Sequence, residues 1–275
     1  LSEVHLGSKN AIGKMLPTPK MENATGDWYT EDGTSYAPSE IPDNVEAVYY
    51  ATNPLGLAYA MLYDDGSLVF QRGNEPEAGK TLVKSWTGFE YGTYDLVNHY
   101  HYGEAMQCST APWGEYYDRD RITSISFKDM VTPISTAYWF YDCYNLTFAD
   151  ITKLDSHRVT NMTHMFSGCR NLSEIHLGSK TTVGKMLPEP SSYYIDGADG
   201  KWYTADGTGY EPSDIPDNVE ATYYAVSPVK PAYAMLYSDG SMVFQRGNEP
   251  GKGKTLVASY TDYEPGETPW HDHKE

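Results

Sequence analysis

One pattern restricts the possible folds of this chain more than any other. Phe140-Tyr141-Asp142-Cys143-Tyr144-Asn145-Leu146 is answered by Phe166-Ser167-Gly168-Cys169-Arg170-Asn171-Leu172, a period of 26 residues. A period in the twenties with fixed Leu, Asn and Cys positions marks units that stack in one dimension. Such a unit cannot bury its apolar face alone and needs a neighbour. Trp139, Phe140, Cys143, Asn145, Leu146, Met162, Met165, Phe166, Cys169, Asn171 and Leu172 therefore read as structural positions of a short solenoid. Met162, Met165 and Phe166 recur at helical spacing, which predicts short helices over Ser135–Cys143 and Val159–Cys169. Strands are expected at Ile122–Phe127, Leu146–Ile151 and Leu172–Leu177.

A longer repeat contains the short one. Leu1–Pro17 matches Leu172–Pro188 at an offset of 171. After a three-residue length difference, Trp28–Pro76 matches Trp202–Pro250 at an offset of 174, with 37 of 49 positions identical. The chain is thus a tandem duplication. Its first residue falls inside a repeat and is not Met, as expected of a segment of something longer. Asp-Gly pairs at Asp32, Asp65, Asp206 and Asp239 are hairpin signals between Tyr-rich runs. Pro38 and Pro42 keep 38–43 out of any central strand.

The expected organisation is the end of a preceding solenoid repeat (1–20), a small β-module (21–54), a β-hairpin cap (55–121), a solenoid (122–188), a second β-module (189–228) and a second, truncated hairpin cap (229–275). The fold class expected is α+β, mainly β: a short leucine-rich-repeat solenoid flanked by two copies of small β-hairpin and β-sheet modules.

A net charge of -18 argues against nucleic acid or an anionic membrane surface as partner. No run is long and apolar enough for a membrane helix. Tyr outnumbers Phe, 25 to 7, which suits half-buried strands and contact surfaces. Three cysteines are not a disulfide framework. Cys143 and Cys169 hold equivalent repeat positions and read as stacked buried thiols, with a bridge open if their Cα atoms lie close enough; Cys108 sits in a polar stretch.

The motifs Pro133-x-Ser135-Thr136-Ala137-x-Trp139-Phe140-x-x-Cys143-x-Asn145-Leu146 and Val159-Thr160-Asn161-Met162-x-x-Met165-Phe166-x-x-Cys169-x-Asn171-Leu172 resemble the BspA-like leucine-rich-repeat proteins of bacterial surfaces. The hairpin Ala58–Asn74 is similar to the β-cap that precedes such repeats, and Trp28–Asn44 to the β-module that often follows them. The resemblance implies a secreted, cell-wall or cell-surface location and adhesion to a host or bacterial surface protein or glycan. No cofactor and no metal are expected from the residues themselves. Ser156-His157-Arg158 departs from the family, which has small polar residues there. The number of repeats, about three, is also small for the family.

Other chemistry finds little support. Gly73–Thr81 and Gly247–Thr255 echo a phosphate-binding loop, but five residues separate the glycines where four are needed, and the flanks read strand–loop–strand. His99/His101 and His271/His273 supply two imidazoles each, short of a zinc site. Asp196 and Asp199 lack the bidentate Glu of a calcium loop. No catalytic motif is present, so a non-enzymatic protein is expected. If the chain contacts a partner directly, clustered Tyr and Trp at Tyr100, Tyr102, Trp113, Tyr116 and Tyr117 are the candidate surface; packing between cap and solenoid is the other reading of these rings. The segment is expected to be monomeric. A spacer holding a distal domain away from the cell, and a carbohydrate-binding module, are the alternatives to an adhesin.

Overall fold

The computed structural model describes residues 1–11, 13–22, 24–91, 97–101, 104–108, 111–114 and 116–261, with backbone alone for 91, 97–101, 104–108 and 116. In chain order, β1 (Glu3–Leu6), β2 (Trp28–Tyr29), β3 (Ser35–Tyr36) and β4 (Ala47–Tyr50) make a four-stranded sheet ordered β1-β4-β2-β3. Next come β5 (Ala58–Tyr63), β6 (Ser67–Arg72) and β7 (Leu82–Thr87), then a two-stranded ribbon of β8 (Val97–His101) and β9 (Glu104–Cys108). A single turn of α-helix, α1 (Tyr116–Arg119), leads to β10 (Ser124–Phe127), β11 (Phe148–Ile151) and β12 (Glu174–Leu177). The second copy supplies β13 (Trp202–Tyr203), β14 (Gly209–Tyr210), β15 (Ala221–Tyr224), β16 (Ala232–Tyr237), β17 (Met242–Arg246) and β18 (Leu256–Tyr260).

The expected α+β fold, a discrete solenoid between separate hairpin modules, is corrected here. The first hairpin, the repeat strands and the second module form one mixed sheet of nine strands, ordered β14-β13-β15-β12-β11-β10-β6-β5-β7. β6, β10, β11 and β12 run parallel within it. α1, four residues long, is the only α-helix among the described residues.

The predicted helices over Ser135–Cys143 and Val159–Cys169 are turns. Their N–H groups do not point back four residues. Thr136, Tyr138, Phe140 and Asp142 donate instead to the carbonyls of Asn161, Thr163, Met165 and Ser167, one repeat further on, at 2.8 to 3.0 Å. Every second N–H therefore bonds across the stack. Tyr138, Asp142 and His164 adopt φ of 58°, 55° and 56°, the left-handed region that ends a right-handed helix. The turns thus keep the helix-like spacing of Met165 and Phe166 without the helix.

The stack explains the burial. Parallel register lines up Leu68, Ile125, Ala149 and Ile175 on one row, with Phe70 beside Phe127 on the next. Phe70 and Phe127 stack at 4.2 Å between centroids. Trp139, Phe140, Cys143, Leu146, Met165, Phe166, Cys169 and Leu172 are all buried in this core, and Met162 packs against its edge. Asn145 and Asn171 donate to the carbonyls of Asp120 and Tyr144 at 2.7 and 2.5 Å, tying each turn to the one before. Asn145 does so from an exposed position rather than from the interior.

The two modules have the same internal build. Trp28 and Trp202 are fully buried, and each indole N–H donates to a proline carbonyl, of Pro17 and Pro188, at 2.9 Å. Ile41 and Ile215 press on Gly13 and Gly184 so closely that a Cβ at either glycine would lie 2.3 or 2.4 Å from a methyl carbon. The first module closes on its own small core of Leu6, Trp28, Ile41, Tyr49 and Ala51. Its counterparts Leu177, Trp202, Ile215, Tyr223 and Ala225 belong to the main core.

Candidate functional site

The residues that break the repeat pattern meet the first module. Asp27 precedes β2, Ser35 opens β3, and Ser156-His157-Arg158 follows the turn after β11. Asp27 and Asp155 are each only 2% exposed. His157 lies between them: Nδ1 is 2.8 Å from Asp155 Oδ1, and Nε2 is 3.4 Å from Asp27 Oδ2. Arg158 Nε lies 3.2 Å from the same Asp27 oxygen, and its Nη2 donates to the carbonyl of Thr25. Lys180 Nζ completes the set, 3.2 Å from Asp155 Oδ2. Ser35 Oγ donates to Thr132 Oγ1 at 3.4 Å alongside. Two buried carboxylates are thus matched by an Arg, a Lys and an imidazole. Burying a charge is costly unless it is paired in this way.

Titration follows from the geometry. Burial by itself would depress the His157 imidazole, but the hydrogen bonds to Asp155 and Asp27 and their charges outweigh it and lift it to about 9. Burial pushes the Asp155 carboxyl up, yet the hydrogen bond and charge of His157, with Lys180 behind them, hold it below the usual carboxylate range. The imidazole is consequently a cation at neutral pH and both its nitrogens are donors.

Above this ion network opens a cleft of about 280 Å³. Ser35, Tyr36 and Glu40 come from the first module, Asp155, His157, Ser179 and Lys180 from the repeat segment, and Asn218 from the second module. Its lining offers a tyrosine ring, two carboxylates, a lysine, an imidazole, hydroxyls and an amide. That combination hydrogen-bonds polar, hydroxyl-rich or charged groups. Among the described residues no group of three or more His, Cys, Asp and Glu is arranged to hold a metal ion.

Of the aromatic residues expected to make a contact surface, Trp113 and Tyr117 have described side chains. Trp113 is fully buried, so its assignment to a contact surface is corrected: its indole N–H donates to the Trp139 carbonyl at 2.6 Å, and its ring meets Phe70, Phe89 and Trp139 edge-on at 5.1 to 5.4 Å. The packing alternative holds for this residue. Tyr117 is 83% exposed on α1. Tyr100 lies on β8 and Tyr116 on α1, with side chains outside the described set; Tyr102 lies outside the described residues altogether. His99 and His101 have backbone description alone, and His271 and His273 lie outside.

Two further readings find their physical reason. Cys143 and Cys169 are free and buried, and the Cys169 thiol donates to the Phe140 carbonyl at 2.9 Å. The lysine of the phosphate-loop-like stretch is occupied: Lys80 Nζ lies 3.1 Å from Asp65, 3.2 Å from Glu77 and 2.8 Å from Ser67 Oγ.

The junction was signalled in two places that composition and motif reading did not connect. Ser156-His157-Arg158 departs from the expected repeat pattern, which has small polar residues there. Asp27 is a mismatch between the two copies, since Lys201 stands at the equivalent position. Neither signal names the other, because 130 residues of chain separate them.

Among the described residues no helix is long and apolar enough to cross a membrane. Comparison with protein-family models, with curated proteins and with solved structures returned no match.

Proposed function

We propose that this chain is a non-enzymatic segment of a bacterial cell-surface repeat protein, and that it binds a host or bacterial surface glycan or protein at the cleft between its modules. The observation that carries this reading is the cleft itself. Three separate parts of the chain converge on it, and its floor is an ion network that ties the first module to the repeat segment. Preformed concave sites with a few convergent polar groups are where ligands bind. A volume of about 280 Å³ fits a sugar ring or a single side chain, not a large cofactor. The resemblance to BspA-like surface proteins supports the location and the adhesive role, and the absence of a catalytic motif from the sequence supports a binding function.

A spacer role is the second reading, and the same ion network favours it. Locking the first module with buried charge pairs stiffens the chain, as a projecting stalk requires. Binding separates the two. The chain is immobilised and presented with a glycan array and with purified surface glycoproteins. Tyr36→Phe combined with Asn218→Gly strips a hydroxyl and an amide from the cleft without touching the ion network, and glycine suits the φ of 58° at Asn218. The adhesive reading expects a bound ligand whose affinity falls at least tenfold in the double variant with an unchanged melting temperature. Silence across both arrays would leave the spacer reading.

A further inference from the structure

The charges around the cleft balance. Asp27, Asp155 and Glu40 face His157, Arg158 and Lys180, three carboxylates against three cations. Asp27 and Asp155 are buried among those cations. The groups that reach the opening are Glu40, its side chain 56% exposed, and Lys180, 40% exposed. Both have hydrogen-bonding capacity left over. Lys180 carries three N–H donors and has one carboxylate oxygen at 3.2 Å. Glu40 Oε2 accepts the Ala37 N–H at a long 3.4 Å, and its Oε1 has no partner among the described residues. The same holds for the Tyr36 hydroxyl and the side-chain polar groups of Ser179 and Asn218. The Tyr36 ring is steadied by a perpendicular contact with Tyr49 at 5.8 Å between centroids.

We infer that the cleft takes a neutral sugar residue, a pyranose without a charged substituent, in preference to an acidic or basic side chain. This rests on the ligand reading above and narrows it from glycan or protein to one class. Charge excludes the alternatives. An acidic ligand is repelled at long range by a chain of net charge -18 and then meets Glu40. A basic ligand is drawn to the surface as a whole, but within the cleft the Lys180 ammonium opposes what Glu40 offers. A neutral ligand meets neither opposition. Hydrogen bonding then selects hydroxyls. The Glu40 carboxylate only accepts, the Lys180 ammonium only donates, and a hydroxyl answers both. Bonds to such charged groups are roughly twice as strong as neutral ones. Adjacent hydroxyls on one ring engage several of these groups together, and the Asn218 amide matches either role. The Tyr36 ring supplies apolar area for the C–H face of a sugar.

Amide chemical-shift titrations of the full chain test it. Methyl glycosides of glucose, galactose, mannose and N-acetylglucosamine are compared with glucuronate, galacturonate, glucosamine and the N-acetyl amides of lysine and glutamate. At least one neutral glycoside is expected to shift the Tyr36 and Asn218 resonances and to bind roughly tenfold more tightly than every charged probe. Glu40→Gln removes the accepting carboxylate and leaves the cleft with excess positive charge. With its melting temperature unchanged, this variant should bind the neutral glycoside roughly tenfold more weakly and narrow the margin over the uronates. A charged probe that shifts the same resonances at equal or lower concentration would overturn the inference and leave the cleft as a site for another class. Indifference of the neutral glycoside to Glu40→Gln would overturn it as well. Shifts from no probe also overturn it, whereas the adhesive reading itself falls only with the arrays.

Discussion

Two modules, residues 1–51 and 172–225, share most of their sequence and all of their internal topology, yet they sit in opposite settings. The second is an extension of the main sheet, joined through β12 and packed into the main core. The first has its own sheet and core and is held to the body at its far side by charge. Several of the residues that differ lie at the docking face. Thr25, Asp27 and Ser35 in the first module correspond to Asp199, Lys201 and Gly209 in the second. Asp27 is buried against His157 and Arg158, whereas Lys201 is exposed. Tyr29 bonds Thr25, whereas Tyr203 bonds Asp199, each at 2.5 Å. The module fold is thus carried by the residues the copies share, and its docking by the residues they do not.

The strongest way to break this comparison is to empty each core. Trp28→Ala and Trp202→Ala should each cost about 3–5 kcal/mol. They should differ in reach. Hydrogen exchange should show the first loss confined to β1–β4, and the second spreading into β11 and β12, whose core Trp202 shares. Equal spread from both would contradict the separate core of the first module.

Asp27→Lys places the second module's residue in the first. It sets a cation beside His157 and Arg158 and should weaken docking by about 3–5 kcal/mol, the usual cost of breaking a buried charge pair. Lys201→Asp, at an exposed position, should change stability by less than about 0.5 kcal/mol. Thermal melts followed by calorimetry would show the first variant gaining an early transition and the second none.

Acidity sharpens the comparison further. His157 titrates near 9 in the fold and near 6.5 when unfolded. A raised imidazole stabilises fully below the unfolded value, and that contribution fades as pH climbs from 6.5 through 9. The loss should be on the order of 3 kcal/mol and should fall on the first module. Asp155 works in the other direction: its depressed value stabilises at neutral pH and the contribution is lost as pH falls below 4. Denaturant titrations from pH 6 to 9 should show the decline in the wild type and a flat response in His157→Gln.

The smallest effect belongs to the hairpin turns. Asp65 and Asp239 are both held down at about 2, first by the hydroxyl and then by the backbone N–H of the serine two residues on. Asp65→Asn and Asp239→Asn should each lower the melting temperature only slightly and by matching amounts, because both turns are local and alike.

Local chemistry was the legible part of the sequence. Asp-Gly turns, the Trp-Tyr module and the strands of each repeat follow from signals within a dozen residues. The two predicted helices were not legible as turns, because Tyr138, Asp142 and His164 take a left-handed backbone that nothing about a Tyr or a His announces. The nine-stranded sheet was hidden for another reason: spacing along the chain does not say which edges join. Trp113 was misplaced because a Tyr/Trp cluster looks alike on a surface and in a core, and only the Trp139 carbonyl within reach of its indole decides. Asp27 and His157 needed three dimensions to meet.

Backbone hydrogen exchange of residues 25–36 against residues 199–210, in one sample at one pH, tests the charge-held junction most directly. The docked first module should exchange markedly more slowly than the equivalent stretch of the second, and Asp27→Lys should erase that difference while β5 and β6 remain fully protected. Equal protection of the two stretches in the wild type, or a difference that survives the substitution, would contradict it.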